Sequence, residues 1–287
     1  KDHSQAVAAY YKSLGLDCII AMGGDGSMTL CHEMSKLGLN FIGVPKTIDN
    51  DIVGTDRTFG FDTAVNVAAE AIDRLRTTAQ SHKRVMILET MGRHAGWIAL
   101  HAGVAGGADV ILLPEYPYHL DGIVSKIQQR IDEESYTIIV IAEGAKPSGG
   151  EQSVSKVVEG SPEPLRLGGI GHALQQQLEE RVDAEVRTTV LGHLQRGGSP
   201  SAYDRLLATN VGAYAASLAA SKRYGRLVTI RNNHMSSIPL ADVAHQTRTV
   251  DRNNMSLISA LATGACLGDP SLSTSLTTLK DDTISMG

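Results

Sequence analysis

The chain has 287 residues, of which 42% are hydrophobic and 20% charged, so it can bury a real core and is neither a disordered tail nor a coiled coil. Its 26 basic and 31 acidic side chains leave a formal net charge of -5, which excludes a global field drawing the molecule to nucleic acid or an anionic membrane. An anionic ligand must therefore be met by a local cluster of cations.

From the amino end, residues 6–14 read as a helix that runs directly into a β-rich run at 16–22. Further β-rich runs follow at 41–44, 84–89, 110–113, 137–142, 187–191 and 226–230, separated by stretches of helical period. Over 62–78, for example, Val65, Ala68, Ala71, Ile72 and Leu75 recur at helical spacing behind Asp62 as a candidate cap. This alternation predicts an α/β fold of mostly parallel sheets flanked by helices. A length above the usual ~100–200 residues of one domain favours two lobes. They are placed at 1–114 and 115–230, with 231–287 a C-terminal segment of unassigned packing whose last ~30 residues have weak helix or strand preference. Residues 146–164, rich in Ser, Gly, Pro and Glu, have no core-facing period and read as a polar, mobile loop. A doubly wound domain ordinarily has a βα unit before such a first helix, so part of the first lobe is expected to lie ahead of Lys1.

Cys18, Cys31 and Cys266 are odd in number and lack CxxC spacing, so neither a disulfide framework nor a thiolate metal site is expected. No apolar run approaches the ~20 residues of a membrane span, and the first residues lack a signal-peptide pattern. A reducing, cytoplasmic setting fits these features.

Three turns after predicted strands carry the chemistry. The first, Gly23-Gly24-Asp25-Gly26-Ser27, leads into a helix. Glycines let backbone N–H groups approach a phosphate, the helix start adds partial positive charge, and Asp25 is placed to hold a magnesium ion directly or through water. An ordinary βα turn has the same outline. The second, Pro45-Lys46-Thr47-Ile48-Asp49-Asn50-Asp51, has two carboxylates separated by one residue, which in an extended segment point to one side. Close acids need a metal or cation between them, and one of them can take a proton from an attacking alcohol. An Asx-rich turn is the plain alternative. The third, Glu89-Thr90-Met91-Gly92-Arg93-His94, precedes a helix from about Ala95 and offers Arg93 as a bidentate phosphate ligand.

Arg84, Arg187 and the run Gly192-His193-Leu194-Gln195-Arg196-Gly197-Gly198 extend the supply of phosphate ligands, although single arginines are commonly solvated surface residues. Glu143, after the run at 137–142, is a candidate acceptor for sugar hydroxyls or an ordinary surface acid. His94 and His193 have no histidine partner at metal-ligand spacing, so neither is assigned to zinc. His193 can still bond a ligand through its ring nitrogens.

Taken in order, GGDGS, PKTIDND, ETMGRHAG, AEGA and VLGHLQRGG, spread over Gly23 to Gly198, closely resemble the motifs of the 6-phosphofructokinase family. NAD kinases and diacylglycerol kinases share only the first. The resemblance implies a glycolytic enzyme that moves a phosphoryl group from ATP to the 1-hydroxyl of fructose 6-phosphate with Mg2+, giving fructose 1,6-bisphosphate. By motif position it implies Asp49 as the base, Thr47, Asp51 and Lys46 beside the transferring group, and Gly24, Asp25, Gly26 and Ser27 around the donor, with Asp25 on the metal. Met91, Gly92 and Arg93 would line the sugar phosphate pocket, Arg93 also stabilising the transferred phosphoryl, while Glu143, His193 and Arg196 hold fructose 6-phosphate. Arg84 and Arg187 would reach the 6-phosphate across a subunit boundary, which implies a homo-oligomer, tetramer or dimer. Residues 1–114 then form the donor-binding lobe and 115–230 mainly the sugar phosphate lobe. Asp109 lies where the family often places an effector-site metal ligand.

The donor is read from two residues that point in different directions. In the family that the sequence resembles, glycine at the Gly26 position leaves room for a nucleotide, whereas an aspartate there would crowd and repel its α-phosphate and favours pyrophosphate. In the same family, lysine at the Lys46 position marks pyrophosphate users and a mixed subgroup that contains ATP enzymes. A steric and charge block excludes a donor more firmly than an added cation does, so ATP is preferred to pyrophosphate. The family's opening Gly-rich loop and an early arginine have no counterpart here, which keeps a non-catalytic sugar phosphate-binding subunit as a third reading.

Overall fold

The computed structural model describes residues 3–157 and 165–272. The chain forms two units, each assembled from two stretches: one from the residues up to Thr63 with Ser199–Arg248, the other from Ala64–Gly198 with the residues from Thr249 onward. This differs from the contiguous division at 114 and 230 expected above. The first crossing falls inside a helix, α3 (Phe61–His82), so no linker marks it.

The first unit contains α1 (Ser4–Ser13), β1 (Ile19–Gly23), α2 (Asp25–Ser35), β2 (Phe41–Thr47), the two-residue β3 (Phe59–Gly60) and the start of α3. After the return of the chain it adds α7 (Ala202–Ala220), β10 (Arg226–Arg231) and β11 (His234–Pro239). Its sheet runs β1-β2-β10-β11, with β3 beside the end of β2. Strands β1, β2 and β10 are parallel, and β11 closes the edge antiparallel. The buried run Phe41–Pro45 is what a central parallel strand needs, since helices cover both of its faces. Ile42, Val44 and Val228 pack on Leu207, Val211 and Leu218 of α7, while Phe41 and Leu227 pack with Met28, Cys31 and Met34 of α2. Each such side chain contributes ~1.5–3 kcal/mol by leaving water.

The second unit contains β4 (Val85–Thr90), α4 (Trp97–Ala105), β5 (Val110–Leu112), α5 (Leu120–Asp132), β6 (Thr137–Ala142), β7 (Val154–Val157), β8 (Leu165–Leu167), α6 (Ile170–Glu179), β9 (Val186–Val190) and α8 (Met255–Ala262). A parallel sheet in the order β5-β6-β4-β9 forms its centre, and every residue of β4 and β6 is buried. Ile87, Ile139 and Ile141 meet Ile123 and Ile127 of α5 and Leu174 and Leu178 of α6.

Four strands lie outside the expected set: β3, β7, β8 and β11. The hairpin β10–β11 turns through Asn232 and Asn233, both with positive φ (48° and 63°), as a two-residue hairpin loop requires. Strand β7 falls within the expected polar loop 146–164, whose residues 158–164 lie outside the described set. Helix α8 falls in the C-terminal segment, held at its start by Asn254, whose side chain accepts from Ser256 N and Leu257 N. Residues 273–287 lie outside the described set. Asp62 is not the cap of α3 but sits in its first turn, accepting a hydrogen bond from Ser201 Oγ at 2.6 Å.

Candidate functional site

In the first unit, β1 and β2 pair in register, Met22 with Val44 and Gly23 with Pro45, so the turns that follow them open side by side. Open α/β sheets bind ligands at such carboxyl ends. Gly24 is the extended N-cap of α2, and a Cβ there would lie 3.5 Å from Thr47 Cβ. Asp25 begins the helix and accepts from Gly26 N at 2.7 Å, and Gly26 and Ser27 are exposed. A Cβ at Gly26 would meet no atom within 4 Å, so the protein itself leaves room for a larger side chain there.

The segment after β2 departs from the extended geometry assumed for the two acids. Asn50 is left-handed (φ 53°), so simple alternation does not apply: Asp49 is half-buried and Asp51 is 7% exposed. Thr47 Oγ1 donates to Asp49 Oδ2 at 3.3 Å and accepts from Asp49 N at 3.1 Å. Lys46 is exposed. The loop is braced from within, because Thr58 N donates to Asn50 Oδ1 at 3.0 Å and Thr58 Oγ1 to Thr47 O at 2.8 Å. It is also tied to the end of the unit, where Arg248 N donates to Asp51 O at 2.6 Å and Arg248 Nη1 to Asn50 O and Asp56 O, both at 3.2 Å. Burial, followed by the charge of Arg57, lowers the Arg248 pKa. An arginine nevertheless remains a cation.

In the second unit, a cavity of about 210 Å3 opens at the carboxyl ends of β4, β6 and β9. Thr90, Met91, Glu143 and His193 line it, with Gly168 and Gly169 forming one wall. Backbone hydrogen bonds hold the strand-end turns together: Leu191 N to Glu89 O at 3.0 Å, Glu143 N to Thr90 O at 2.9 Å and Gly144 N to Gly92 O at 3.1 Å. Gly92 has φ 136°, and a Cβ there would sit 2.9 Å from Ala95 O, so this turn requires glycine. Arg93 follows it, half-buried, and α4 starts at Trp97 instead of near Ala95. Arg196 is exposed at the end of the 3-10 turn Gly192–Arg196.

The expected residues Met91, Glu143 and His193 are thus brought to one cavity, with Gly92 and Arg93 in the turn leading from it. Arg84 and Arg187 are not brought there. They lie at the amino ends of β4 and β9, and five residues of strand from Arg84 to Glu89 span ~16 Å. Both donate to the carboxylate of Glu185, and the Arg84 hydrogen bond, with the charges of Arg187 and Arg84, holds that acid below the usual carboxylate range. Asp109 pairs with Arg130 Nε at 3.0 Å and accepts from Ile138 N at 2.9 Å, so both of its oxygens have protein partners.

Three buried or half-buried side chains that sequence reasoning passed over support these turns: Arg248, Gln195 and Glu89. Gln195 Oε1 accepts from Met91 N at 2.6 Å. Glu89, 2% exposed, accepts from Gly169 N at 3.1 Å and Gly171 N at 2.8 Å, which commits its charge to the amino end of α6. The available signal for Glu89 is an acid at the end of the apolar run Val85–Leu88. Gln195 is signalled only as the uncharged polar residue of the GHLQRGG run. Among the described residues no group of three or more His, Cys, Asp and Glu is placed to hold a metal ion. No helix among them is long and apolar enough to cross a membrane.

Comparison with known proteins bears on these turns. The chain is 49% identical over 271 residues, 94% of its length and 74% of the relative's, to the ATP-dependent 6-phosphofructokinase 2 of Clostridium perfringens. It is 46% identical over 246 residues, 86% of its length and 72% of the relative's, to the pyrophosphate–fructose 6-phosphate 1-phosphotransferase of Amycolatopsis methanolica. A solved pyrophosphate-dependent phosphofructokinase from Marinobacter aquaeolei shares the fold, with a TM-score of 0.73 at 24% identity over 92% of this chain and 68% of that one. The family model described as Phosphofructokinase matches residues 1–219. The chain belongs to the phosphofructokinase family.

Proposed function

We propose that this chain transfers the terminal phosphoryl group of ATP to the 1-hydroxyl of fructose 6-phosphate, forming fructose 1,6-bisphosphate in the cytoplasm. The observation that carries this reading is the cavity lined by Met91, Glu143 and His193 at the carboxyl ends of β4, β6 and β9. Its size suits a monosaccharide, being below the ~300–1,000 Å3 of drug-sized sites. Glu143 accepts from sugar hydroxyls, His193 bonds through its ring, and Arg93 and Arg196 supply cations for phosphate oxygens. Met91 and Gly92 shape the wall beside the reacting end. Arg84 and Arg187 lie at the opposite end of their own sheet, so in this reading they serve the 6-phosphate bound by a second copy, in a homo-oligomer.

In the first unit, Asp49 takes the proton of the attacking hydroxyl, and the hydrogen bond from Thr47 Oγ1 orients its carboxylate. Asp51 lies in the same loop, and Lys46, near the end of β2, neutralises the leaving phosphate. Gly24, Gly26 and Ser27 offer a small, exposed turn and a helix start to donor phosphates. Asp25 fits Mg2+, which is ordinarily held by one or two carboxylates together with substrate phosphates and not by an all-protein cage. When bound, the ion neutralises phosphate charge.

A coupled assay of bisphosphate formation with ATP or pyrophosphate tests the proposal, and absence of turnover with both donors refutes it. Asp49→Ser should lower kcat by about two to four powers of ten with a smaller change in fructose 6-phosphate binding. Pyrophosphate is the second reading, favoured by Lys46 and by the name of the Amycolatopsis relative. Since a Cβ at Gly26 meets no atom within 4 Å, Gly26→Asp should fold and lose ATP use while keeping any pyrophosphate use.

A further inference from the structure

We infer that Gln195 is a positioning residue for the sugar phosphate, fixing the turn that carries Met91, Gly92 and Arg93 against the 3-10 turn that carries His193 and Arg196. The inference rests on the reading of the cavity as the fructose 6-phosphate site. Gln195 does not line that cavity, so it acts through the residues it holds.

The orientation of the side chain is the first observation. Gln195 is 1% exposed although it sits between Leu194, 71% exposed, and the exposed Arg196. A polar amide turned inward from a solvent-facing turn needs a partner, and it has one in Met91 N at 2.6 Å across 104 residues of sequence.

The second observation concerns what else holds the turn. The backbone bond from Leu191 N to Glu89 O secures its base, where β9 ends beside β4. Beyond that point the chain is a 3-10 helix of five residues, Gly192–Arg196, a form with poor intrinsic hydrogen-bond geometry that takes its position from its surroundings. Gly192 itself has φ 48°, so the chain changes direction just where strand pairing stops. The bond from Met91 to Gln195 therefore anchors the far end of the turn, one residue before Arg196 and two after His193. It also gives Met91 N, which follows the last residue of β4, an acceptor that the sheet does not supply.

Two variants of the full chain test this. Gln195→Met fills the same volume without an acceptor, and Gln195→Asn keeps the amide but draws it back by one methylene, ~1.5 Å, out of reach of Met91 N. Steady-state kinetics should show KM for fructose 6-phosphate raised ~10–100-fold, the scale of a 1 Å misplacement, with KM for ATP within ~2-fold of the unsubstituted protein. Unchanged KM for the sugar phosphate in both variants overturns the inference. Equal rises in both KM values, or failure of both variants to fold by circular dichroism, would make Gln195 a general fold residue and overturn it equally. Fructose 6-phosphate binding by the unsubstituted protein, measured first by calorimetry, separates the two levels: its absence defeats the reading of the cavity and the inference with it.

Discussion

Gly144→Ala tests how closely the turns after β4 and β6, proposed to hold the sugar phosphate, are packed. A Cβ at Gly144 would stand 2.0 Å from Arg93 O, 2.7 Å from Arg93 C and 2.9 Å from Gly92 O. Real Cβ atoms almost never approach another heavy atom within 3.0 Å, so 3.0 minus 2.0 gives a parting of at least 1.0 Å between the turns after β4 and β6. The obstacle is backbone, so no side-chain rotation relieves it. The parting breaks the bond from Gly144 N to Gly92 O and strains that from Gln152 Nε2 to Gly144 O at 2.9 Å. Overpacking costs ~1–3 kcal/mol and a buried N–H left unpaired another ~1–3 kcal/mol. A loss of ~2–6 kcal/mol lowers Tm by roughly 4–24 °C at ~2–4 °C per kcal/mol. Because Glu143 and Arg93 flank the clash, KM for fructose 6-phosphate should rise by about 10^2 or more. Calorimetric melting and steady-state kinetics read both effects. A variant that melts with the wild type and keeps its KM would refute the packing of these turns.

Two other acids give distinct signatures. Glu89→Gln replaces one oxygen with an N–H group facing Gly169 N or Gly171 N, which should cost ~1–3 kcal/mol and raise KM for the sugar phosphate as the Gly168–Gly169 wall loosens; melting and kinetics unchanged within error would count against the helix-capping role. Glu115 accepts from Gly96 N at 3.0 and 3.1 Å and from Val250 N at 2.9 Å, and burial raises its pKa above the ordinary 4.5 in spite of those bonds. An acid whose pKa is raised by folding binds its proton more tightly in the native state, so its contribution is fully present below about 4.5 and is lost as pH rises through the raised value. Glu115→Gln removes that dependence, so urea melts should show the wild type losing ground to the variant as pH rises through this window. A difference between them that is flat with pH would exclude the linkage.

What was legible in the sequence is what local pattern encodes. Strand β6 coincides with the expected run at 137–142 because burial on both faces turns Thr137–Ala142 into an unbroken apolar, β-branched segment. Strand β11, reading HMSSIP at a sheet edge, has no such signal, and its hairpin turn at Asn232-Asn233 was not read from the sequence. The candidate turns stand out in the sequence because glycines, acids and arginines cluster within a few residues. Their supports do not, since Gln195 reaches Met91 across 104 residues, Glu89 reaches Gly169 across 80 and Arg248 reaches Asn50 across 198. The division into units was hidden for a related reason: the chain leaves the first unit at Thr63 within α3, where helical period continues undisturbed.

The placement of charge bears on how a protein of formal net charge -5 would meet the anionic substrates proposed for it. Unneutralised carboxylates beside a phosphate would repel it by several kcal/mol at the low effective dielectric of a buried site. Two buried acids are instead committed to donors of the protein: Glu89 to the amino end of α6, Glu115 to Gly96 and Val250. Asp49 is half-buried and accepts a hydrogen bond from Thr47 Oγ1 at 3.3 Å. Neither Glu89 nor Glu115 is therefore suited to act as a base: a base must give up its hydrogen-bond partners at little cost when it accepts a proton, and a carboxylate fixed by two backbone N–H groups loses ~1.5–3 kcal/mol per bond on doing so.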